Sequence, residues 1–310
     1  MDASICIPTY NSAETLKICL DSIFQQTVKP KEVLICDGSS HDETLQIAAK
    51  YPVKIVAKNI KGVGAARNIL TSASSGNLIA WIDADAAIPK NWLELRVKLH
   101  QSRSNVDCVS GPAMVVSIED GERFSHQTLN VQSPKLHPSQ IISWTATTVS
   151  RQAIEDIGGY DPLFEFDGDW DLTTRLLRSN AGLYWCDECP AYHMRHERGI
   201  KWSLRNYILG GNYVLYLLKY GSNYIKFNPK HFIAFVLRMW LLYSLLLLPF
   251  FKEFMLLLLL AAILFNLIAV KLHTKKLRLD CIPEQLFNAI GEHRNFVRYL
   301  IHHSSRKKTV

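Results

Sequence analysis

Two aspartates close the run Asn77-Leu78-Ile79-Ala80-Trp81-Ile82-Asp83-Ala84-Asp85. Five apolar residues in succession read as a buried strand, and a strand core has no use for carboxylates at its end. In an open parallel sheet, ligands sit outside the carboxyl ends of the strands. Two carboxylates one residue apart at such an end, Asp83 and Asp85, can hold a hard dication, Mg2+ or Mn2+, that completes its shell with phosphate oxygens. An ordinary acidic turn after a strand explains the same two residues, so the other polar clusters of the chain decide between the readings.

Two further clusters follow apolar runs. Ala3-Ser4-Ile5-Cys6-Ile7-Pro8 leads into Thr9-Tyr10-Asn11, and Glu32-Val33-Leu34-Ile35-Cys36 leads into Asp37-Gly38-Ser39-Ser40. Asp37 can accept a hydrogen bond from a base or a ribose hydroxyl. In Lys61-Gly62-Val63-Gly64-Ala65-Ala66-Arg67-Asn68, the glycines Gly62 and Gly64 permit close backbone approach and Arg67 can meet phosphate charge. One such turn is commonplace. Three polar strand ends on one edge of one sheet point to a nucleotide site.

The elements that must carry these clusters alternate. Strands are expected at 3–8, 32–36, 53–57 and 78–82. Helices are expected after Asn11, read as an N-cap with Glu14 three residues on, and over 42–50, from 61 and over 92–100. That alternation indicates a mostly parallel sheet flanked by helices, with right-handed crossovers. A strand pair is expected at 108–116 around Gly111-Pro112 and strand composition returns at 141–150, whereas 119–140 reads as an irregular loop over the site. Gly158-Gly159-Tyr160-Asp161-Pro162 is a sharp turn.

A second acidic cluster, Glu165-Phe166-Asp167-Gly168-Asp169-Trp170-Asp171-Leu172, precedes a helix with the apolar positions Leu172, Leu176 and Leu177. Acidic residues suit the first helical turn. That explains one or two of them, not four, and one carboxylate here is a candidate general base.

Composition sets the limits. The chain has 310 residues and a net charge of +7. Much of the excess sits late, in Lys271, Lys275, Lys276, Arg278, Arg294, Arg298, Arg306, Lys307 and Lys308. A basic tail beside apolar spans fits an anionic lipid surface or a phosphate-bearing ligand, and no nucleic-acid-binding motif is visible. Seven cysteines, with a single Cys186-x-x-Cys189 pair, fit reduced thiols better than a disulfide framework. The chain opens on a strand without a secretory leader, so the first domain is expected on the cytosolic side.

The ordered motifs resemble the family-2 glycosyltransferases of the GT-A fold over about residues 3–200. They are Pro8-Thr9-Tyr10-Asn11; Asp37-Gly38-Ser39-Ser40-x-Asp42; Lys61-Gly62-x-Gly64-Ala65-Ala66-Arg67-Asn68; Asp83-x-Asp85; Gly158-Gly159-Tyr160-Asp161; and Asp169-x-Asp171-Leu172-x-x-Arg175-Leu176. The resemblance implies inverting transfer from a nucleotide-activated sugar with Mg2+ or Mn2+. Pro8, Tyr10, Asn11 and Asp37 would hold the base and ribose, with Gly62 and Arg67 near the nucleotide. Asp83 would contact ribose or sugar and Asp85 the metal on the diphosphate, while Asp169 matches the catalytic base. The family usually has a carboxylate immediately before that base, where this chain has Gly168. The assignment among Asp167, Asp169 and Asp171 therefore stays open, with Asp171 the more structural. His196, Arg198 and Arg205 are candidates to border the diphosphate or an acceptor phosphate.

Residues 201–228 read as an interfacial amphipathic helix, 229–272 as two transmembrane helices forming a hairpin, and 273–310 as a basic cytosolic segment. The spans run from Phe232 to Phe250 and from Phe254 to Val270, and Arg238 lies within the first. The expectation is a multi-pass protein of the plasma membrane with its catalytic domain facing the cytoplasm. It would transfer a sugar, from a UDP-sugar in the first instance, to a lipid-linked acceptor: a polyprenyl phosphate or diphosphate glycan, or a glycolipid. The alternatives are a catalytically weak nucleotide-sugar sensor or scaffold, and a membrane nucleotidyltransferase.

Overall fold

The computed structural model describes residues 1–131, 134–139, 142–164, 168–194, 213–220, 233, 235–237, 239–240, 242–243, 259–264, 289–290, 292–297 and 299. The chain divides into two compact units, Met1–Glu197 and Arg198–Val310.

The first unit begins with strands and helices in alternation: β1 (Ala3–Thr9), α1 (Ala13–Phe24), β2 (Glu32–Asp37), α2 (Thr44–Ala48), β3 (Lys54–Ala57), α3 (Val63–Ala73) and β4 (Leu78–Ile82). There follow β5 (Ala86–Ala87), α4 (Trp92–Gln101), β6 (Cys108–Ser110), β7 (Ala113–Val116), α5 (Ile118–Ser125), β8 (His137–Pro138), β9 (Ala146–Ser150), α6 (Arg151–Asp156), α7 (Asp169–Arg178), β10 (Leu183–Trp185) and β11 (Ala191–Met194). Eight strands form the main sheet in the order β3-β2-β1-β4-β9-β6-β10-β8, and three form a small sheet, β5-β11-β7. The first four strands pair in parallel, as the alternation predicts. β9 then runs antiparallel to both β4 and β6, so the sheet is mixed in its middle.

Both faces of the sheet are covered, which is why β4 and the middle of β2 are apolar at successive positions rather than at alternate ones. Ile5, Ile7, Val33, Ile35, Ala80 and Ile82 point to one face, against Leu16, Leu20 and Ile23 of α1. Cys6, Leu34, Cys36, Ile79 and Trp81 point to the other, against Ala66 and Leu70 of α3 and Leu172 and Leu176 of α7.

Three expectations are corrected. Ser12, not Asn11, precedes α1, and the cap comes from outside the helix, where Asp42 Oδ2 accepts from Ala13 N at 3.0 Å. The segment expected as a loop contains α5, whose Ser117 hydroxyl accepts from Asp120 N and whose Phe124 ring lies 4.8 Å from that of Tyr192. The strands on either side of Gly111 belong to different sheets, because Gly111 is where the chain passes between them. A Cβ there would stand 2.7 Å from the carbonyl oxygens of both Cys186 and Cys189. Those two cysteines are free thiols with sulfurs 3.0 Å apart.

In the second unit, α8 (Tyr213–Tyr220) buries Val214, Leu215, Tyr216 and Tyr220, and the buried Glu292 accepts from Val214 N at 2.7 Å. Among the described residues no helix is long and apolar enough to cross a membrane. Most of both expected spans, Arg238 included, lies outside the described residues.

Candidate active site

The carboxyl ends of β1, β2 and β4 bring the three polar clusters to one edge. Register pairs Thr9 with Asp37. The Asp37 carboxylate is buried; its Oδ1 accepts from Thr9 Oγ1 at 2.9 Å and Ser40 Oγ at 2.6 Å, and its Oδ2 from Ser40 N at 2.8 Å. Ser40 Oγ accepts from Asn11 N, and Asn11 Oδ1 accepts from His41 N. These bonds lace the loop after β1 to the loop after β2, with Asn11 at φ 46° and Ser39 at φ 73°, both left-handed. Tyr10 stands 44% exposed at the rim, an aromatic surface on which a base can stack, and Pro8 lies half-buried within β1.

Gly62 precedes α3 at φ 88°, a conformation that suits glycine. It starts the helix that delivers Arg67, whose side chain is 3% exposed. Nη1 donates to Tyr160 Oη at 2.7 Å and to Asp169 Oδ1 at 2.9 Å, while Nη2 donates to Asp83 Oδ1 at 2.8 Å and to the Trp144 carbonyl at 3.1 Å. The rings of Tyr160 and Trp81 lie 5.5 and 5.9 Å from its Cζ. Burial opposes the guanidinium charge, but Tyr160, Asp83 and Asp169 together hold its pKa above the ordinary value. Arg67, expected near the nucleotide, thus has both Nη atoms engaged inside the fold, where they tie together two carboxylates from distant parts of the chain.

Those carboxylates reach the surface. The Asp83 side chain is 28% exposed and that of Asp169 is 33% exposed. Burial is the largest influence on Asp83 and, with Asp85 and Asp169 nearby, lifts its pKa to about 6 against the pull of Arg67. Asp171 differs. It is fully buried, and its Oδ2 accepts from Arg175 Nε at 2.8 Å, while Arg175 Nη1 donates to the carbonyl of Ile157. Gly168 fits a tight place, since a Cβ there would come within 3.1 Å of Phe164 Cβ and 3.3 Å of the Tyr160 ring. Asp167, His196, Arg198 and Arg205 lie outside the described residues.

Asp85 sits in the turn after β4. The small sheet sets His193 of β11 opposite Ala86, and His193 Nε2 lies 3.3 Å from Asp85 Oδ2. Neighbouring ligands of an octahedral ion with bonds of about 2.1 Å are about 3 Å apart, so this oxygen and this nitrogen fit two adjoining positions around Mg2+ or Mn2+. Among the described residues no group of three or more such ligands occurs.

Several positions that shape the candidate site escape sequence reading. Asn68 clamps the Tyr160 backbone, with Oδ1 accepting from Tyr160 N at 2.7 Å and Nδ2 donating to Tyr160 O at 2.9 Å. Gly64 lies against the Tyr160 ring, and Gly159, at φ 71°, leaves room for Asn68. The signal was the Gly-Gly-Tyr turn beside an Arg-Asn pair; what it lacked was any indication that the two meet. His193 carried no motif.

Residues 4–157 match the family model described as "Glycosyl transferase family 2". Among curated proteins, the chain is 30% identical over 203 residues to glycosyltransferase AglE of Haloferax volcanii, covering 61% of this chain and 66% of that protein. It is 28% identical over 118 residues to the UDP-Glc:alpha-D-GlcNAc-diphosphoundecaprenol beta-1,3-glucosyltransferase WfgD of Escherichia coli, covering 37% and 46%. The match thus spans less than two thirds of either relative. Among solved structures, the mannosyltransferase PcManGT of Pyrobaculum calidifontis, in complex with GDP-Man and Mn2+, superposes with a TM-score of 0.55 at 18% identity, covering 96% of this chain and 86% of that one. S. aureus TarS 1-349 in complex with UDP-GlcNAc gives 0.56 at 17% identity, covering 94% and 91%. With these matches added to the site's geometry, residues 4–157 form a glycosyltransferase family 2 domain, and the first unit has the GT-A fold.

Proposed function

We propose that this protein is an inverting, metal-dependent glycosyltransferase that moves a sugar from a nucleotide sugar to a lipid-linked acceptor at the cytosolic face of the plasma membrane. The observation that carries the reading is the Arg67 bridge, which holds Asp169 beside Asp83 at the rim formed by the ends of β1, β2 and β4. A nucleotide laid across that rim, with its base against Tyr10 and the Asp37 loop, directs its diphosphate toward Asp83 and Asp85. The sugar then lies between the diphosphate and Asp169.

Asp169 takes the proton of the acceptor hydroxyl, the acceptor oxygen attacks the anomeric carbon from the face opposite the diphosphate, and the bond to the diphosphate oxygen breaks with its electron pair. Asp85 and His193 would hold the cation, which when bound offsets the charge that develops on the leaving diphosphate. A UDP-sugar is the first donor to test, supported by the names of WfgD and the TarS complex, with GDP-mannose of the PcManGT complex as comparator. The lipid-linked acceptor is supported by the diphosphoundecaprenol substrate in the name of WfgD and by the apolar stretches at 232–250 and 254–270.

The test is nucleoside diphosphate release by the full chain in detergent, with Mg2+ or Mn2+, a panel of nucleotide sugars and membrane lipid extract as acceptor. One donor is expected to turn over in a lipid-dependent manner. Asp169→Asn is expected to lower kcat by about 100-fold or more, and Asp85→Ala to abolish the response to added metal. Release of pyrophosphate instead, or full activity of Asp169→Asn, would overturn the reading.

A further inference from the structure

The bonds around Asp169 are lopsided. Both of its side-chain partners land on the same oxygen: Oδ1 accepts from Tyr160 Oη at 2.8 Å and from Arg67 Nη1 at 2.9 Å. Among the described residues no donor reaches Oδ2. The Tyr160 hydroxyl is saturated in turn, since it accepts from Arg67 Nη1 at 2.7 Å while donating to Asp169. Two groups that hold each other as well as the carboxylate leave it little rotational freedom.

Tyr160 is itself held from all sides. The residue is 2% exposed and cannot touch substrate. Asn68 binds its backbone N–H and C=O, the chain on one side turns at Gly159 with φ 71°, and Gly64 leaves room for the ring, where a Cβ would stand 3.0 Å from Cδ1. Trp81 and Trp144 pack edge-on at 5.6 and 6.3 Å between ring centroids. Phenylalanine would fill this box equally well. What tyrosine adds is a single oxygen, placed in the charged bridge.

We infer that Tyr160 is a positioning residue for the transfer step, its hydroxyl and Arg67 anchoring Asp169 through Oδ1 so that Oδ2 is the oxygen presented to the acceptor hydroxyl. The inference rests on the glycosyltransferase reading. An aspartate anchored at one oxygen keeps a fixed in-line direction toward the anomeric carbon, and a base that has to find that direction loses rate without losing donor affinity. On the donor side the Tyr160 oxygen makes no bond of its own: Asp83 is held by the other amino group of Arg67, Nη2, which the substitution of Tyr160 leaves in place together with its bond to the Trp144 carbonyl.

Tyr160→Phe separates this role from packing. In the full chain the substitution is expected to lower kcat by roughly 10- to 100-fold, with donor KM and directly measured donor Kd within about twofold of wild type and the melting temperature little changed. The same substitution added to Asp169→Asn is expected to cost nothing more, because the anchored base is already gone. Wild-type kcat in Tyr160→Phe would overturn the inference, as would an equal further loss on the Asp169→Asn background, which marks a general packing effect. Absence of turnover by wild type with every donor, or full activity of Asp169→Asn, would overturn the glycosyltransferase reading and this inference with it, so the two failures are told apart.

Discussion

Asp169 and Asp171 stand two positions apart on one helix and do opposite work. Asp169 faces the rim and is anchored by Arg67 and Tyr160, whereas Asp171 is enclosed and locked to Arg175. Removing the charge of Asp171 strands Arg175 and loosens α7 from Ile157. Asp171→Asn is accordingly expected to lower the unfolding free energy by about 3 kcal/mol, read by urea titration, while nucleotide affinity at a temperature where the protein stays folded is unchanged. A destabilisation no greater than that of a surface aspartate would mean that the pair contributes little. The sequence could not separate these two residues, because an acidic first turn suits the helix dipole wherever its side chains point. Arg67 shows the same limit. A guanidinium in a glycine-rich segment reads as a phosphate ligand, and only the packing of α3 against Tyr160 shows it turned inward to join Asp83 and Asp169. That Asp37, Asp83 and Asp85 share one rim was legible because each ends an apolar strand, whereas the buried bonds by which Asp37 ties the loops after β1 and β2 together were not.

The elements that came through from sequence are the first four strands and the helices α1, α2, α3, α4 and α7, most of them with a strong period or an unbroken apolar run. α5 did not, since its eight residues include Gly121 and four charged side chains. It forms because Ser117 caps it and Phe124 packs on Tyr192, and its glycine is required where a Cβ would meet Met194 Cγ at 2.4 Å. α4 carries a further consequence of packing. His100 is buried, with Nδ1 2.9 Å from the carbonyl of Val106 and Nε2 2.9 Å from Thr148 Oγ1, so it bridges the approach to β6 and the middle of β9. The bonds to Val106 and Thr148 favour a charged ring, since Thr148 Oγ1 can donate to the Val109 carbonyl at 3.3 Å and accept from Nε2; burial outweighs them, with the Arg96 charge on the same side, and keeps the ring of His100 neutral. Burial pushes its pKa down from 6.5 to about 4. Above pH 6.5 the folded and unfolded chains are both neutral at this site. Below that only the unfolded chain takes the proton, so stability is lost as pH falls from 6.5 toward 4, by about 3 kcal/mol over the window. Urea unfolding at pH 7.0 and 4.5 is expected to show most of this loss for wild type and a shallower pH dependence for His100→Gln. Equal slopes would place the acid sensitivity elsewhere.

Across the whole molecule, the sequence shows two unlike halves, and the contact pattern divides the chain into Met1–Glu197 and Arg198–Val310. The expectation of membrane spans in the second half rests on apolar composition, which is the same in a span and in a helix buried within protein. The first half holds a different consequence, one of time. The bridge through Arg67 joins residues separated by 16 positions on one side and 102 on the other. Strands β1 to β4 can assemble from neighbouring segments, whereas β9 must insert next to β4 from nearly 70 residues further along, and α7 later still. Contacts between distant segments carry a larger closure cost and form late. Until Asp169 arrives, Arg67 has Asp83 as its one carboxylate partner among the described residues, and the rings of Trp81 and Trp144 have not yet met at 5.5 Å. On refolding from urea, far-UV dichroism is expected to recover before tryptophan fluorescence reaches its native value; simultaneous recovery would show that the two halves of the sheet close together. The order of synthesis then has a protective effect: a chain still emerging from the ribosome completes the rim of Asp37 and Asp83 before Asp169, so, with Asp169 as the proposed base, a partly made chain has no group poised to turn a nucleotide sugar over.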